Sequence, residues 1–253
     1  MSLNKDKIIY EFKKIKEKNP HKSQFPNNRD GGAGNTLESL LGVRENNNKL
    51  PDFLNFECKA TRVNSGAKIS LGSKKPSFPD GASRYLWENY GDIKPPSTLK
   101  RFYPTLRANG RDSLVYKKNY MGIKLDRGSK KIRMYIMDLN KKIIKDDIFW
   151  TFEDIRESAE KLKDTMFAEI TENLIDGESY FTYHNALVFW GFDFNLFLNE
   201  IENGNIELEF RCGVYKDQQR YGTMHDRGAA WRLVKRKWKE TMKKITEDNI
   251  YVE

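Results

Sequence analysis

The chain has 253 residues, 38% of them hydrophobic and 13% aromatic, which excludes a disordered polypeptide and leaves room for one large domain or two lobes. Its 45 basic and 36 acidic residues give a net charge of +9, a surplus that draws a polyanion, although a lysine-rich surface serves solubility as well. Two cysteines without a CxxC pair, three scattered histidines, no apolar run of membrane-spanning length and no apolar signal core near the N-terminus argue against a disulfide scaffold, a zinc site or a membrane partner, and the cytoplasm is the expected location.

In chain order, residues 4–18 read as an amphipathic helix with Ile8, Ile9, Phe12 and Ile15 on one face, ended by Pro20. A polar loop follows, and then a short helix over 36–42, capped by Asn35 or Thr36 and stopped by Gly42. Residues 52–61 contain a strand centred on 56–60, 64–83 read as loop, and 84–112 are basic and aromatic without a period. A hairpin is expected from 119–126 and 130–138 around Arg127-Gly128-Ser129. Further on, the pattern predicts a helix over 153–163, strands over 165–171 and 178–184, and a helix over 193–202 stopped at Asn203-Gly204. The chain then reads as a strictly alternating strand over 205–215, a polar loop over 216–228, and a basic amphipathic helix over 235–246.

The chemistry concentrates in Pro51-Asp52-Phe53-Leu54-Asn55-Phe56-Glu57-Cys58-Lys59. Glu57 and Lys59 are two apart, so a strand points them to one face and turns Phe56 and Cys58 toward a core. Asp52 stands at an odd spacing from Glu57, so the two carboxylates converge only if the chain turns or bulges through residues 53–55, where Asn55 suits a turn. Two convergent carboxylates make an oxygen site for Mg²⁺, the ion a phosphodiester needs for its hydrolysis, with Lys59 placed to hold water or balance phosphate charge. A plain salt bridge at a strand edge between Glu57 and Lys59 is the competing reading. The run Gly31-Gly32-Ala33-Gly34 is no P-loop, since no Gly-Lys-Ser/Thr follows.

The spacing Pro-Asp-x4-Glu-x-Lys resembles the PD-(D/E)xK nuclease motif in the compact form of the MvaI/BcnI restriction endonucleases, relatives of MutH-like nucleases. The segment from Gly34 to Gly42 is similar to the helix that precedes the motif there, and the extra acidic residue of that helix maps onto Glu38; otherwise Glu38 is a solvated glutamate in a helix's first turn. Arg211-Cys212-Gly213-Val214-Tyr215 and His225-Asp226-Arg227-Gly228-Ala229-Ala230-Trp231-Arg232 are similar to the family's C-terminal recognition segment, R-x-G-x-Y followed by H-D-x-G-x-A-x-R. The alternation places Ile206, Leu208, Phe210 and Cys212 on one face of that strand and Glu207, Glu209 and Arg211 on the other.

The resemblance implies an α/β fold of the restriction-endonuclease type, with a central mixed sheet flanked by helices and two lobes around a DNA cleft. A catalytic lobe is expected over 1–115 and a recognition lobe over 116–253. It also implies a type II restriction enzyme, a magnesium-dependent, site-specific deoxyribonuclease that hydrolyses double-stranded DNA and leaves 5′-phosphate ends at a short CC-x-GG-like site. Asp52 and Glu57 would hold one or two Mg²⁺ ions, Lys59 would position water and Glu38 would assist. Glu209, Arg211, Tyr215, His225, Asp226, Arg227 and Arg232 would contact DNA, the arginines reading guanine and the acids cytosine. Lysines in 68–75 and Arg101, Arg107 and Arg111 would meet phosphates. The enzyme would be a monomer in a bacterial cytoplasm, paired with a methyltransferase of the same specificity. Two other functions fit the residues: a MutH-like strand-nicking enzyme of mismatch repair, and a DNA-binding regulator without catalysis.

Overall fold

The fold was taken from a computed structural model, which describes residues 2–253 apart from 27, 29–30, 44–51, 64–65, 67, 235–240 and 244–247. Pro51 and most of the expected C-terminal helix lie outside these described residues; within 235–246 only 241–243 are described as helical. The chain forms two compact units interleaved in sequence: residues 1–67, 160–193 and 236–253 make one, and 68–159 with 194–235 make the other. The chain thus passes between units repeatedly, where a single boundary near 115 was expected. The reason is topological. Strand Glu57–Arg62 pairs in parallel with Asp164–Ile175, and parallel neighbours need a long crossover, here the first segment of the second unit.

The first unit is built on a five-stranded sheet. Strand Glu178–Trp190 lies antiparallel to Asp164–Ile175, to His21–Lys22 and to Asp248–Val252, and Asp164–Ile175 in turn takes Glu57–Arg62 as a parallel edge. The sheet is therefore mixed, as expected. Its long hairpin turns at Asp176-Gly177, both at positive φ, the pair that a two-residue turn prefers, and this carries the first strand on to Ile175, past the 171 expected. Helix Ser2–Glu17 buries Ile8, Phe12 and Ile15, and helix Gly32–Leu40 buries Ala33 and Leu37, in one core with Phe56, Cys58, Met166, Ile170 and Val188. Each buried Ile, Leu, Met, Phe or Val among them contributes about 1.5–3 kcal/mol. The second helix starts earlier than expected, with Gly31 at its N-cap and no side-chain cap. Thr36 is inside it, buried, its hydroxyl accepting from the Gln24 amide.

In the second unit the expected hairpin is present as Asn119–Asp126 and Lys131–Met137, extended by Ser113–Val115 and by Ile143–Thr151 into four strands. A second four-stranded sheet runs Ile69–Lys74, Ala229–Leu233, Ile206–Glu209, Thr105–Leu106. Trp150, Phe210 and Trp231 are buried, Trp150 contacting both of the others. Helices Ala82–Tyr90, Phe152–Glu160 and Phe194–Glu202 complete it. The continuous strand expected over 205–215 is broken. The ladder stops at Glu209, Phe210 donates to the Pro104 carbonyl, and Cys212–Val214 pairs instead with Met224–Asp226 in a small hairpin. Residues 69–74 and 82–90, read from sequence as loop or without period, form a strand and a helix. Among the described residues no helix is long and apolar enough to cross a membrane.

Candidate active site and recognition cluster

The turn required between Asp52 and Glu57 exists. Phe53 and Phe56 exchange both backbone hydrogen bonds, at 3.0 and 2.7 Å, and Leu54 and Asn55 between them have φ of 51° and 71°. Two successive positive-φ residues are the signature of the tightest hairpin turn, and asparagine tolerates it far better than leucine. The turn brings Asp52 back over the start of the strand, where its Oδ2 accepts from the Cys58 amide at 2.9 Å. Cys58 points into the core and Glu57 and Lys59 to the opposite face, as the alternation demands.

On that face Lys59 Nζ donates to Glu57 Oε1 at 2.7 Å. A second lysine, unforeseen from sequence, completes the cluster. Lys161 Nζ lies 2.9 Å from Glu57 Oε2 and 3.7 Å from Asp52 Oδ1. The Glu57 Oε2 atom is buried, and its short contact with Lys161 is an ion pair. Lys161 belongs to the turn between helix Phe152–Glu160 and strand Asp164–Ile175, and the parallel register sets Thr165 beside Glu57. Only that long-range pairing carries residue 161 to residue 57, so local periodicity could not reveal it.

Three carboxylates feel one another here. Burial raises the Glu38 carboxyl to about 7, helped by the negative charges of Asp52 and Glu57. Burial also raises Asp52, opposed by the Cys58 amide. Burial pushes Glu57 up too, but the Lys59 ammonium, then Lys161, outweigh it and hold Glu57 below the usual carboxylate range. The Cys58 thiol is driven well up by burial and the surrounding carboxylates, so it is a core residue and no nucleophile. Among the described residues no group of three or more His, Cys, Asp or Glu side chains is arranged to hold a metal ion. The site does offer two carboxylates converging on one cationic position, now filled by an ammonium. That donor set fits a hard divalent ion that needs few protein ligands.

In the second unit the motif residues also meet. The Arg211 guanidinium donates from Nε to the Gly228 carbonyl at 3.3 Å and from a terminal nitrogen to the Arg227 carbonyl at 2.6 Å, which fixes its plane. Burial, then the neighbouring Arg232, hold its pKa below the usual arginine value. Arg232 pairs with Glu209 at 3.2 Å. Asp226 is engaged on three sides, accepting from the Gly228 amide at 2.8 Å and from Cys212 Sγ at 3.6 Å and lying 3.4 Å from Lys75. Tyr215 and His225 stack face to face at 4.1 Å, with the Arg220 guanidinium 3.8 Å from the tyrosine ring centre. Arg227 is exposed. Of the two motif glycines, Gly228 has φ of +75°, where a side chain is strained, and Gly213 lies against the Tyr103 hydroxyl. Lys68 and Arg107, expected at phosphates, both pair with the buried Glu207.

The sequence matches the MvaI/BcnI restriction endonuclease family over residues 9–241. No curated protein matches it. Among solved structures, a complex of restriction endonuclease MvaI with its cognate DNA substrate superposes with a TM-score of 0.83 at 23% identity, covering 98% of each chain. MvaI in the absence of DNA gives 0.63 at 23% identity, covering 100% of this chain and 99% of that one. At this identity the structural likeness speaks for the fold, while the family match spans nearly the whole sequence. The chain belongs to the MvaI/BcnI restriction endonuclease family and is a DNA-cleaving nuclease.

Proposed function

We propose that the protein is a type II restriction enzyme that hydrolyses double-stranded DNA at a short CC-x-GG-like sequence, with Mg²⁺, leaving 5′-phosphate and 3′-hydroxyl ends. Asp52 and Glu57 hold the ion, one or two in number, with the Cys58 carbonyl as a further ligand. When bound, the ion supplies Lewis acidity at the phosphoryl oxygen and charge for the leaving 3′ oxygen. Lys59, fixed by its hydrogen bond to Glu57, orients the attacking water and balances phosphate charge. Glu38, with a carboxyl near 7, would assist the metal or its waters. The first unit carries the chemistry. The second reads sequence, with Arg211 and Arg232 facing guanine edges, Glu209 and Asp226 serving cytosine or holding those arginines, and Tyr215, His225 and Arg227 contributing contacts. The enzyme acts as a monomer in a bacterial cytoplasm, beside a methyltransferase that protects the same site.

The observation that supports this most is the approach of the Asp52 and Glu57 carboxylates to one cationic position beside Lys59. The test is Asp52→Ala. Cleavage of unmethylated phage DNA with Mg²⁺ should fall by about 10³-fold or more while DNA binding, followed by mobility shift, persists. Equal cleavage by parent and variant removes the reading, and single-strand nicks without discrete double-strand fragments from the parent favour a nicking enzyme instead.

A further inference from the structure

Lys161 is a cation placed where two ligand carboxylates meet. Its ammonium is 2.9 Å from Glu57 Oε2 and 3.7 Å from Asp52 Oδ1, and Glu38 also acts on it. Glu57 does not need it for neutrality, because Lys59 already donates to the other oxygen at 2.7 Å. The Lys161 side chain is long, about a quarter exposed, and rooted in a turn, so its head can move away while its backbone stays. A divalent ion taken up by the same two carboxylates would compete with the ammonium for them.

We propose that Lys161 is the resident counter-ion of the metal position: it holds Asp52 and Glu57 together in the metal-free protein and must give way when a divalent cation enters. This rests on the reading of Asp52 and Glu57 as metal ligands. Lys161 is thus a positioning residue. It keeps a group of three carboxylates from repelling itself open, and it raises the concentration of free metal needed to fill the site.

The experiment is Mn²⁺ binding to the full chain without DNA, by calorimetry, for the parent, Lys161→Met, Lys163→Met and Asp52→Ala. The proposal expects Lys161→Met to bind Mn²⁺ tighter by about tenfold or more, because a competing charge is gone from the site itself. Lys163→Met removes the same charge two residues away and should bind like the parent. Thermal unfolding gives a second readout. Lys161→Met should melt lower than the parent without metal, and Mn²⁺ should raise its Tm by more than it raises the parent's. If Lys161→Met does not fold, Lys161→Gln carries the same comparison. Binding abolished by Asp52→Ala yet equal in the parent and Lys161→Met overturns this inference and leaves the metal reading standing. Equal tightening by Lys161→Met and Lys163→Met also overturns it, marking a diffuse charge effect. If no protein binds Mn²⁺ at millimolar concentration, the metal reading falls and this inference with it.

Discussion

Two buried glutamates are each held between two basic side chains, one in each unit. Glu57 lies 2.7 Å from Lys59 and 2.9 Å from Lys161, and its side chain is 7% exposed. Glu207 lies 2.5 Å from Arg107 and 2.6 Å from Lys68, and its side chain is 5% exposed. Burial and pairing distance do not separate them; their neighbours do. Around Glu57 stand Asp52 and Glu38, so three carboxylates face two ammoniums. Around Glu207 a single carboxylate serves two cations, and a hydroxyl, that of Thr105, takes a further Lys68 hydrogen bond. The sign of the local imbalance, rather than the presence of a buried charge, distinguishes the proposed metal position from a structural brace.

The largest effect that would break this comparison comes from truncating each glutamate. Glu57→Ala leaves Lys59 and Lys161 without their nearest counter-ion, which should lower stability by about 2–3 kcal/mol and cut cleavage by about 10³-fold. Glu207→Ala leaves Arg107 and Lys68 in the same position and should cost a similar stability, about 2–3 kcal/mol, while cleavage by the folded protein stays within a few-fold of the parent. Urea unfolding and single-turnover cleavage of a plasmid measure both. If fully folded Glu207→Ala loses cleavage as Glu57→Ala does, the two clusters are not different in kind.

How much of this was legible in the sequence depends on how far apart the partners lie along it. Asp52, Glu57 and Lys59 sit within one turn and one strand, so spacing alone gave their face and demanded the turn at Leu54-Asn55 that the chain makes. The hairpin at 127–129 and the N-terminal helix were equally local. Lys161 was not legible, because it reaches Glu57 only through parallel pairing across a hundred residues, and parallel pairing leaves no local periodicity. The strand at 69–74 was hidden for a related reason. Its sequence ISLGSK carries glycine and lysine and reads as loop, yet Ala229–Leu233 supplies its hydrogen bonds. The break after Glu209 was also hidden, since residues 206–212 alternate perfectly while the partner changes from Ala229–Leu233 to Met224–Asp226.

A smaller effect sharpens the comparison on the recognition side. Arg211 has two of its nitrogens on backbone carbonyls, so the orientation of its guanidinium is fixed in advance of the proposed contact with DNA. Arg211→Ala should lower discrimination at a single base pair by about 1–3 kcal/mol and leave binding to unrelated DNA nearly unchanged. Competition binding against a panel of singly substituted sites reads this directly. A uniform loss over all sequences would make Arg211 a phosphate contact.

The smallest effect concerns Glu38 and the metal-free protein. Its carboxyl titrates near 7 when folded, against 4.5 ordinarily, so between these values the folded state holds a proton that the unfolded chain has released. Stability should therefore fall as pH rises through that window and level off above it, the sign opposite to that of a salt-bridged acid. Asp52, also raised, adds to the slope, whereas Glu57, lowered, acts only below the ordinary carboxylate range as acid is added. Glu38→Gln keeps the shape and removes the ionisation, so its unfolding midpoint should change less than the parent's between about pH 5 and about pH 8. Mg²⁺ should flatten the parent's slope as well, because a cation held by Asp52 and Glu57 favours the ionised form of Glu38 nearby. A parent slope that Glu38→Gln leaves untouched would place the titration elsewhere, and one that Mg²⁺ leaves untouched would mean that the surplus negative charge of this cluster is not what receives the ion.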